Sequence, residues 1–562
     1  IGPGPWIVKW LENKGDDIAK VLGVIDELGN HDHHLSRQCA NLLIRECAVP
    51  RFSYLLRGVR PDLIATAAAR HDNRIMESLG HLMGPHDLLS YSTELTEADY
   101  ADGFGEAERA FSRAQAQLPM RNGGGGFIAA TTISPVAFLS GGIDSIRFLT
   151  MHPDFAPQFM TDISPECLSS STLAPVAELR DAWQSVAVLL GGEDKLAMSL
   201  GEKVTHFNDI ASASGETQKA ISTALHTQMY QSMSDVDGVG QPGGAPSVEA
   251  AIRLMSCSGE GAAWLRATPW CPLLRMTNEQ LRISLCFRLG VPMTHLRCDR
   301  PCPCHLMYDR TRRIAQRDCH QRGQNHHRAR QTRRQWRKVR RRRRPGRVDA
   351  CGQHTMACPY SGAHRRHEYL QGALIHCIRQ AGCPARRATV KELRAPGDTS
   401  QKKADVVADN FANASRTTLF DVVVVHPSIS SFKTSYDRAG AAAADRGQRK
   451  DKKYKELAES LDYLFTDFAV ETYGRMSEAA RKVIKQLGDM YEQLHGGDES
   501  DGYIPRSVFV DHCRQIIGVA LQRAVCTQIT NNVKSRKGVG STRDNMDLCS
   551  SLPLNGRLYR AA

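Results

Sequence analysis

The chain has 562 residues, a net charge of +13 and 41% hydrophobic residues. This length suits three or four domains, with buried cores over part of the chain. The longest strongly apolar stretch, LFDVVVV, is too short to cross a bilayer, which excludes a transmembrane segment. The chain opens IGPGPW, with neither a methionine nor a signal-peptide pattern, so we expect an intracellular fragment whose cysteines are reduced.

The first half of the chain has apolar residues at helical spacing. The clearest examples are WIVKWLENKGDDIAKVLGVIDELG, PVAELRDAWQSVAVLLGG, AAIRLMSC and NEQLRISLCFRLGV. A further helical pattern, ANLLIRECAVPRFSYLLRGV, is interrupted at Pro50. PMRNGGGGF is typical of a linker, and about residues 228–247 we expect a loop. This half is therefore predicted to be mainly helical.

Residues 291–366 are rich in Cys, His and Arg. Between Arg310 and Arg347 there are 17 Lys or Arg and one acidic residue, Asp318. The net charge of this basic arm is therefore larger than that of the whole chain. Such a stretch suits a polyanion, most simply nucleic acid, or else is a solvated disordered tract, which we expect over 305–347. The expected nucleic-acid contacts in it are Arg333, Arg334, Arg337, Lys338, Arg340, Arg341, Arg342, Arg343 and Arg344.

The pattern after residue 366 alternates helices and strands. HEYLQGALIHCIRQAG predicts a helix ending at Gly382. ATVKEL, KADVVA and TTLFDVVVV predict three strands, and the last is apolar enough to be buried on both faces. A polar helix over about 436–464, a fourth strand in LFTDFAV and further helices follow. The predicted fold class is therefore multidomain α and α/β.

The predicted strands place Glu392, Asp405 and Asp421 in apolar surroundings. Burying a carboxylate in LFDVVVV is costly unless something compensates its charge, and a divalent cation such as Mg²⁺ does so. Asp405 and Asp421 could converge on one ion, Glu392 could add a third oxygen, and Lys450 could polarise the attacking water. This arrangement predicts metal-assisted phosphodiester hydrolysis. Alternatively, Asp421 caps a turn at a strand end and Asp405 is exposed.

These motifs resemble the carboxy-terminal part of the polyprotein of non-long-terminal-repeat retrotransposons that carry a restriction-like endonuclease. The resemblance is carried by VDACGQHTMAC, the Arg366-His367 pair, KKADVV, LFDVVVV and KDKKY, and more weakly upstream by CANLLIRECAVPRFSYLLRGVRP and GAAWLRATP. Two positions depart from the family pattern: Ala404 replaces a proline, and Val423 stands where many related nucleases have a lysine. Lys450 would then take that lysine's role.

The resemblance implies a zinc knuckle before the nuclease. Its ligands would be Cys302, Cys304, His354 and Cys358, a set suited to a closed tetrahedral structural site. Cys298, Cys351 and His305 are possible substitutes, and unliganded loop residues are the alternative. The resemblance also implies that Arg366 and His367 contact the scissile phosphate. Without it, His367 is more simply a core histidine.

The implied organisation has five parts: 1–118 as a helical thumb-like region, 119–290 as a helical linker region, 291–365 as the Cys/His knuckle with its basic arm, 366–475 as a restriction-endonuclease-like α/β core, and 476–562 as a helical tail. The implied function is a Mg²⁺-dependent endonuclease that nicks target DNA in the nucleus for insertion. Its partners would be DNA, gripped partly by Lys453, and the element RNA. A polymerase palm is not expected in this chain. Tyr100–Gly103 has part of the Tyr-x-Asp-Asp motif of such palms, but it lies in an acidic stretch rather than in a hairpin of apolar strands.

Two other functions remain open from the sequence. The first is a catalytically dead remnant that still binds nucleic acid. The second is an ATP-pyrophosphatase-type synthetase, because SGGIDS has the form of that family's phosphate-binding loop. This second function requires PVAFL to be a strand and SGGIDS to be the loop that follows it.

Overall fold

The computed structural model describes residues 4–84, 87–155, 157–297, 351–358, 364–393, 403–428, 438–496 and 504–537. These residues are mostly helical, with a small mixed sheet in the C-terminal part, which agrees with the predicted α and α/β class. They form two compact units, Ile1–Glu94 with Arg109–Pro269, and Leu95–Glu108 with Trp270–Ala562. No helix within the described ranges is long and apolar enough to span a membrane.

Helices form at each predicted apolar pattern before residue 270, and several further helices form between them. In chain order they are α1 Gly4–Asn30, α2 Ser36–Leu43, α3 Leu55–Gly58, α4 Pro61–Met83, α5 Glu97–Ala101, α6 Glu106–Gln117, α7 Ala130–Met151, α8 Ala174–Leu190, α9 Glu193–Leu200, α10 Thr217–Ser234 and α11 Val248–Cys257. Helices α7 to α10 enclose one apolar core around Trp183, which is 1% exposed. Helix α10 extends into the stretch predicted as a loop over 228–247, so that loop begins later than expected.

The SGGIDS motif lies inside helix α7 and forms no phosphate-binding loop. Both glycines serve close packing, because a Cβ on Gly141 would lie 2.5 Å from the carbonyl oxygen of Arg57, and one on Gly142 would lie 2.3 Å from Leu179 Cδ1. PVAFL is part of the same helix and not a strand. The synthetase prediction required a strand followed by a phosphate-binding loop, and this requirement is not met. Tyr100, by contrast, is an exposed residue of helix α5, as predicted.

The second unit contains the sheet. Its further helices are α12 Asn278–Leu289, α13 Gln353–Ala357, α14 His364–Gln380, α15 Ala441–Ser460, α16 Glu478–His495 and α17 Arg506–Lys537. Its strands are β1 Ala385–Arg387, β2 Val406–Ala408, β3 Thr418–Val425 and β4 Leu464–Glu471, in the order β1-β2-β3-β4. The first three strands are antiparallel, and β4 is parallel to β3. Helix α15 supplies the crossover that a parallel pair requires.

Three of the four predicted strands are confirmed in place, and ATVKEL is the exception. It forms a short 3-10 turn, Val390–Leu393, while the first strand lies just before it. The cause is local, because the carboxylate of Glu392 accepts hydrogen bonds from the backbone N–H and the hydroxyl of Thr389, at 2.8 and 2.7 Å. A polar side chain that bonds its own turn competes with a strand ladder.

The chain stretches that precede and follow the basic arm are held at one place, which we call the neck (residues 290–297 and 351–358). The thiol of Cys351 donates to the carbonyl of Gly290 at 3.4 Å. On the other side of the neck, Arg297 donates to Asp99 and Asp102, at 2.6 Å each. At the neck, the chain that follows the basic arm therefore contacts the chain that precedes it.

Candidate active site

Asp405 and Asp421 meet where strand β2 begins beside β3. Asp405 directly precedes β2, and its backbone N–H donates to Phe420 O at 2.8 Å, next to Asp421 on β3. The Oδ2 of Asp405 also accepts from the backbone N–H of Val422, the residue after Asp421. The two carboxyl groups lie within hydrogen-bonding reach of each other. This convergence is the one predicted from KKADVV and LFDVVVV.

Besides its backbone N–H, Asp405 is held by hydrogen bonds at its three oxygen atoms. Its Oδ1 lies 2.9 Å from His367 Nε2, and its Oδ2 accepts from the backbone N–H of Val422 at 2.7 Å. Its carbonyl oxygen accepts from Gln371 Nε2 at 2.5 Å and from the N–H of Ala388 at 2.9 Å. His367 and Gln371 are one turn apart on helix α14, so one helix face holds both the side chain and the backbone of Asp405.

The pKa values of the two carboxyl groups are shifted in opposite directions. Burial, and then the hydrogen bond with Asp405, raise the pKa of Asp421 to about 7, although Lys450 acts in the other direction. Burial alone would raise the pKa of Asp405, but the hydrogen bonds from His367 and Asp421 hold it below its ordinary value. Burial would lower the pKa of His367, but its bond to Asp405 raises it overall. Asp421 is therefore the carboxyl that gives up a proton near neutral pH.

Lys450 reaches Asp421 from helix α15. Its Nζ lies 2.7 Å from Asp421 Oδ2, and its side chain is 33% exposed. The ring of Tyr454, one turn later, lies beneath two ammonium groups. Its centroid is 5.4 Å from Lys450 Nζ and 4.7 Å from Lys453 Nζ. Val423, two residues after Asp421, packs against an apolar cluster. Lys450 is thus the lysine that the structure places beside Asp421.

Two predicted catalytic residues lie elsewhere. Glu392 pairs with Arg386, whose Nη1 lies 2.7 Å from Glu392 Oε1, and it makes none of the contacts that join Asp405 to Asp421. Arg366 is 3% exposed and donates to the carbonyl oxygen and the Sδ of Met356, at 3.3 Å each. Burial lowers the pKa of Arg366 to about 10. The prediction that Arg366 contacts a scissile phosphate is wrong in orientation, because its guanidinium faces the interior.

The predicted zinc ligands are only partly within the described residues. His354 lies in helix α13, and Cys358 is buried directly after it, in the segment that Gln528 holds through a 2.9 Å hydrogen bond to Thr355 O. Cys302 and Cys304 lie outside the described residues, as do the arginines and lysine predicted to bind nucleic acid from 333 to 344. Across the described ranges, no group of three or more His, Cys, Asp or Glu side chains could hold a metal ion.

Two residues beside the site were missed by the sequence analysis. Gln371 has no sequence signal, because its role depends on the backbone of Asp405. Asp467 is the register partner of Asp421 on the neighbouring strand and is 4% exposed. Burial, and then repulsion by Asp451, raise the pKa of Asp467 to about 6. An aspartate within LFTDFAV carries the same signal as the one within LFDVVVV and could have been found by the same reasoning.

No protein-family model, curated protein or solved structure matches the chain.

Proposed function

We propose that residues 364–471 form the core of a restriction-endonuclease-like, metal-dependent DNA endonuclease. The observation that supports it is the meeting of Asp405 and Asp421 at the start of β2, with Lys450 2.7 Å from Asp421 and His367 2.9 Å from Asp405. Two buried carboxyl groups so close repel each other when both are ionised. Structural stability alone does not favour that arrangement, whereas a bound cation relieves it.

The donor set fits Mg²⁺. This ion is commonly held by one or two carboxylates, with water and substrate phosphates completing its shell, so Asp405 and Asp421 suffice without Glu392. When bound, the ion supplies charge stabilisation to the phosphate and lowers the pKa of water. Lys450, displaced from Asp421 Oδ2, would orient the attacking water. His367 and Gln371 would keep Asp405 fixed, so that no reorganisation is needed when charge develops.

The partner in this proposal is DNA, and the RNA of the retrotransposon is a second ligand. Lys453 is exposed on helix α15 near Asp421, and the basic arm contributes 17 Lys or Arg between residues 310 and 347. Binding by so many cations is driven by counterion release and falls steeply with salt. A zinc knuckle with Cys302, Cys304, His354 and Cys358 and a role in retrotransposon insertion in the nucleus remain part of the same proposal.

Nicking of supercoiled plasmid in Mg²⁺ tests the proposal. Asp421→Asn should lower the nicking rate by at least about a hundredfold, and EDTA should abolish nicking by the unaltered protein. Asp462→Asn is the matched control, because Asp462 is exposed and has a positive φ of 62°, which asparagine also tolerates. Nicking that is equal in the unaltered and Asp421→Asn proteins would refute the nuclease. DNA binding without nicking would instead identify a catalytically dead remnant.

A further inference from the structure

Helix α15 crosses the face of the sheet that carries Asp421. Gly447, Lys450 and Tyr454 recur at spacings of three and four residues, so they share the helix face that contacts β3 and β4. Lys450 meets Asp421 of β3, whereas Gly447, one turn earlier, lies against Asp467 of β4. The same helix face therefore carries both the close contact with Asp467 and the ion pair with Asp421.

The contact between Gly447 and Asp467 leaves no room for a side chain. A Cβ at position 447 would lie 2.3 Å from Asp467 Oδ2 and 2.7 Å from its Cγ. Glycine lowers helix stability relative to alanine, and Gly447 is in the interior of a 20-residue helix. Because glycine destabilises the helix at this closely packed position, its presence indicates that the helix must approach β4 closely there.

Asp467 cannot easily withdraw from this contact. Its Oδ2 accepts a hydrogen bond from Ser477 Oγ at 3.2 Å, and Ser477 in turn caps helix α16 by accepting from the N–H of Ala480 at 3.1 Å. Strand β4 also holds the start of α15, because Glu471 accepts from the N–H of Ala442 at 3.1 Å. The helix is thus fixed on β4 at its first turn and again at Gly447.

We infer that Gly447 and Asp467 are positioning residues of the nuclease site, which set the distance between the Lys450 ammonium and Asp421. Neither residue touches the proposed substrate or metal, and both act through Lys450. The inference rests on the proposed function for its effect on catalysis. The proposed coupling between Gly447 and the Lys450–Asp421 pair does not depend on that function and can be tested without it.

Substituting Gly447→Ala tests the link in the full-length chain. The added methyl should lift α15 from β4, lower the kcat for plasmid nicking by about a hundredfold and leave the KM for DNA nearly unchanged. Asp467→Ala in the same chain removes the clashing carboxylate and should restore most of the kcat. Gly23→Ala is the matched control, because Gly23 is also helical and has open space where a Cβ would be, so it should leave kcat unchanged. Unchanged kcat in Gly447→Ala, or no rescue by Asp467→Ala, would overturn the inference.

A double-mutant cycle on thermal unfolding keeps this test separate from nuclease activity. Lys450→Met should shift Tm in the unaltered chain and shift it much less in the Gly447→Ala chain, where the pair with Asp421 is already broken. Equal shifts in both chains would refute the link even if nicking is observed. Non-additive shifts without nicking by the unaltered protein would uphold the link and reject the nuclease.

Discussion

Neutralising Asp421 should stabilise the protein while removing its proposed activity. Asp421 is 3% exposed, and burial together with Asp405 raises its pKa from 3.8 to about 7. A carboxyl whose pKa is higher in the folded state destabilises that state only where it must ionise. This cost is absent below about pH 4, grows between pH 4 and 7, and is complete above pH 7. Asp421→Asn removes the ionisable group and therefore the cost.

The structure sets the size of this gain. A shift of about three pKa units corresponds to at most about 4 kcal/mol of unfolding free energy. This shift already includes the attraction of the Lys450 ammonium, which favours ionised Asp421. The asparagine amide keeps a donor towards Asp405. We therefore expect Asp421→Asn to be more stable by about 2–3 kcal/mol at pH 8 and nearly unchanged at pH 4.

Thermal unfolding in EDTA from pH 4 to pH 8 measures this effect. The Tm difference between Asp421→Asn and the unaltered chain should rise with pH to roughly 5 °C or more. Mg²⁺ should then raise the Tm of the unaltered chain only, because a ligand stabilises the state that binds it. Asp462→Asn, with its exposed side chain, should follow the unaltered chain at every pH. A Tm for Asp421→Asn that is lower than that of the unaltered chain at pH 8 would refute the electrostatic reasoning.

Three further predictions concern two residues around the site and the basic arm. The pKa of His367 is raised, so its ion pair with Asp405 stabilises the fold below pH 6.5, and this stabilisation is lost as pH rises through the folded-state pKa. His367→Asn should therefore lower the free energy of unfolding by about 1 kcal/mol at pH 6 and by little at pH 9, as measured by urea unfolding. An equal loss at both pH values would contradict this prediction. Arg366→Met should lower Tm but leave the salt dependence of DNA binding unchanged in fluorescence anisotropy, since a buried guanidinium reaches no phosphate. Deleting residues 306–347 should reduce the slope of log affinity against log salt by several units, and an unchanged slope would exclude the arm from DNA binding.

The sequence predicted the centre of the site better than its edges. LFDVVVV indicated both a buried strand and a compensated carboxylate, and β3 with Asp421 confirms the strand. Glu392 departed from its predicted strand because Thr389 and Arg386, only three and six residues away, satisfy its carboxylate locally. Periodicity does not reveal such short-range bonds. SGGIDS is helical, and its glycines meet Arg57 and Leu179, which are distant in sequence and so leave no local signal.

The neck has a consequence for how this chain can vary. Because Cys351 bonds to Gly290 and Arg297 is anchored by Asp99 and Asp102, the described chain is held on both sides of residues 298–350. Doubling the length of such a stretch adds only about 0.6 kcal/mol of closure entropy. Insertions and deletions there should therefore change the free energy of unfolding only slightly. The same place is a permissive point at which to graft a reporter domain.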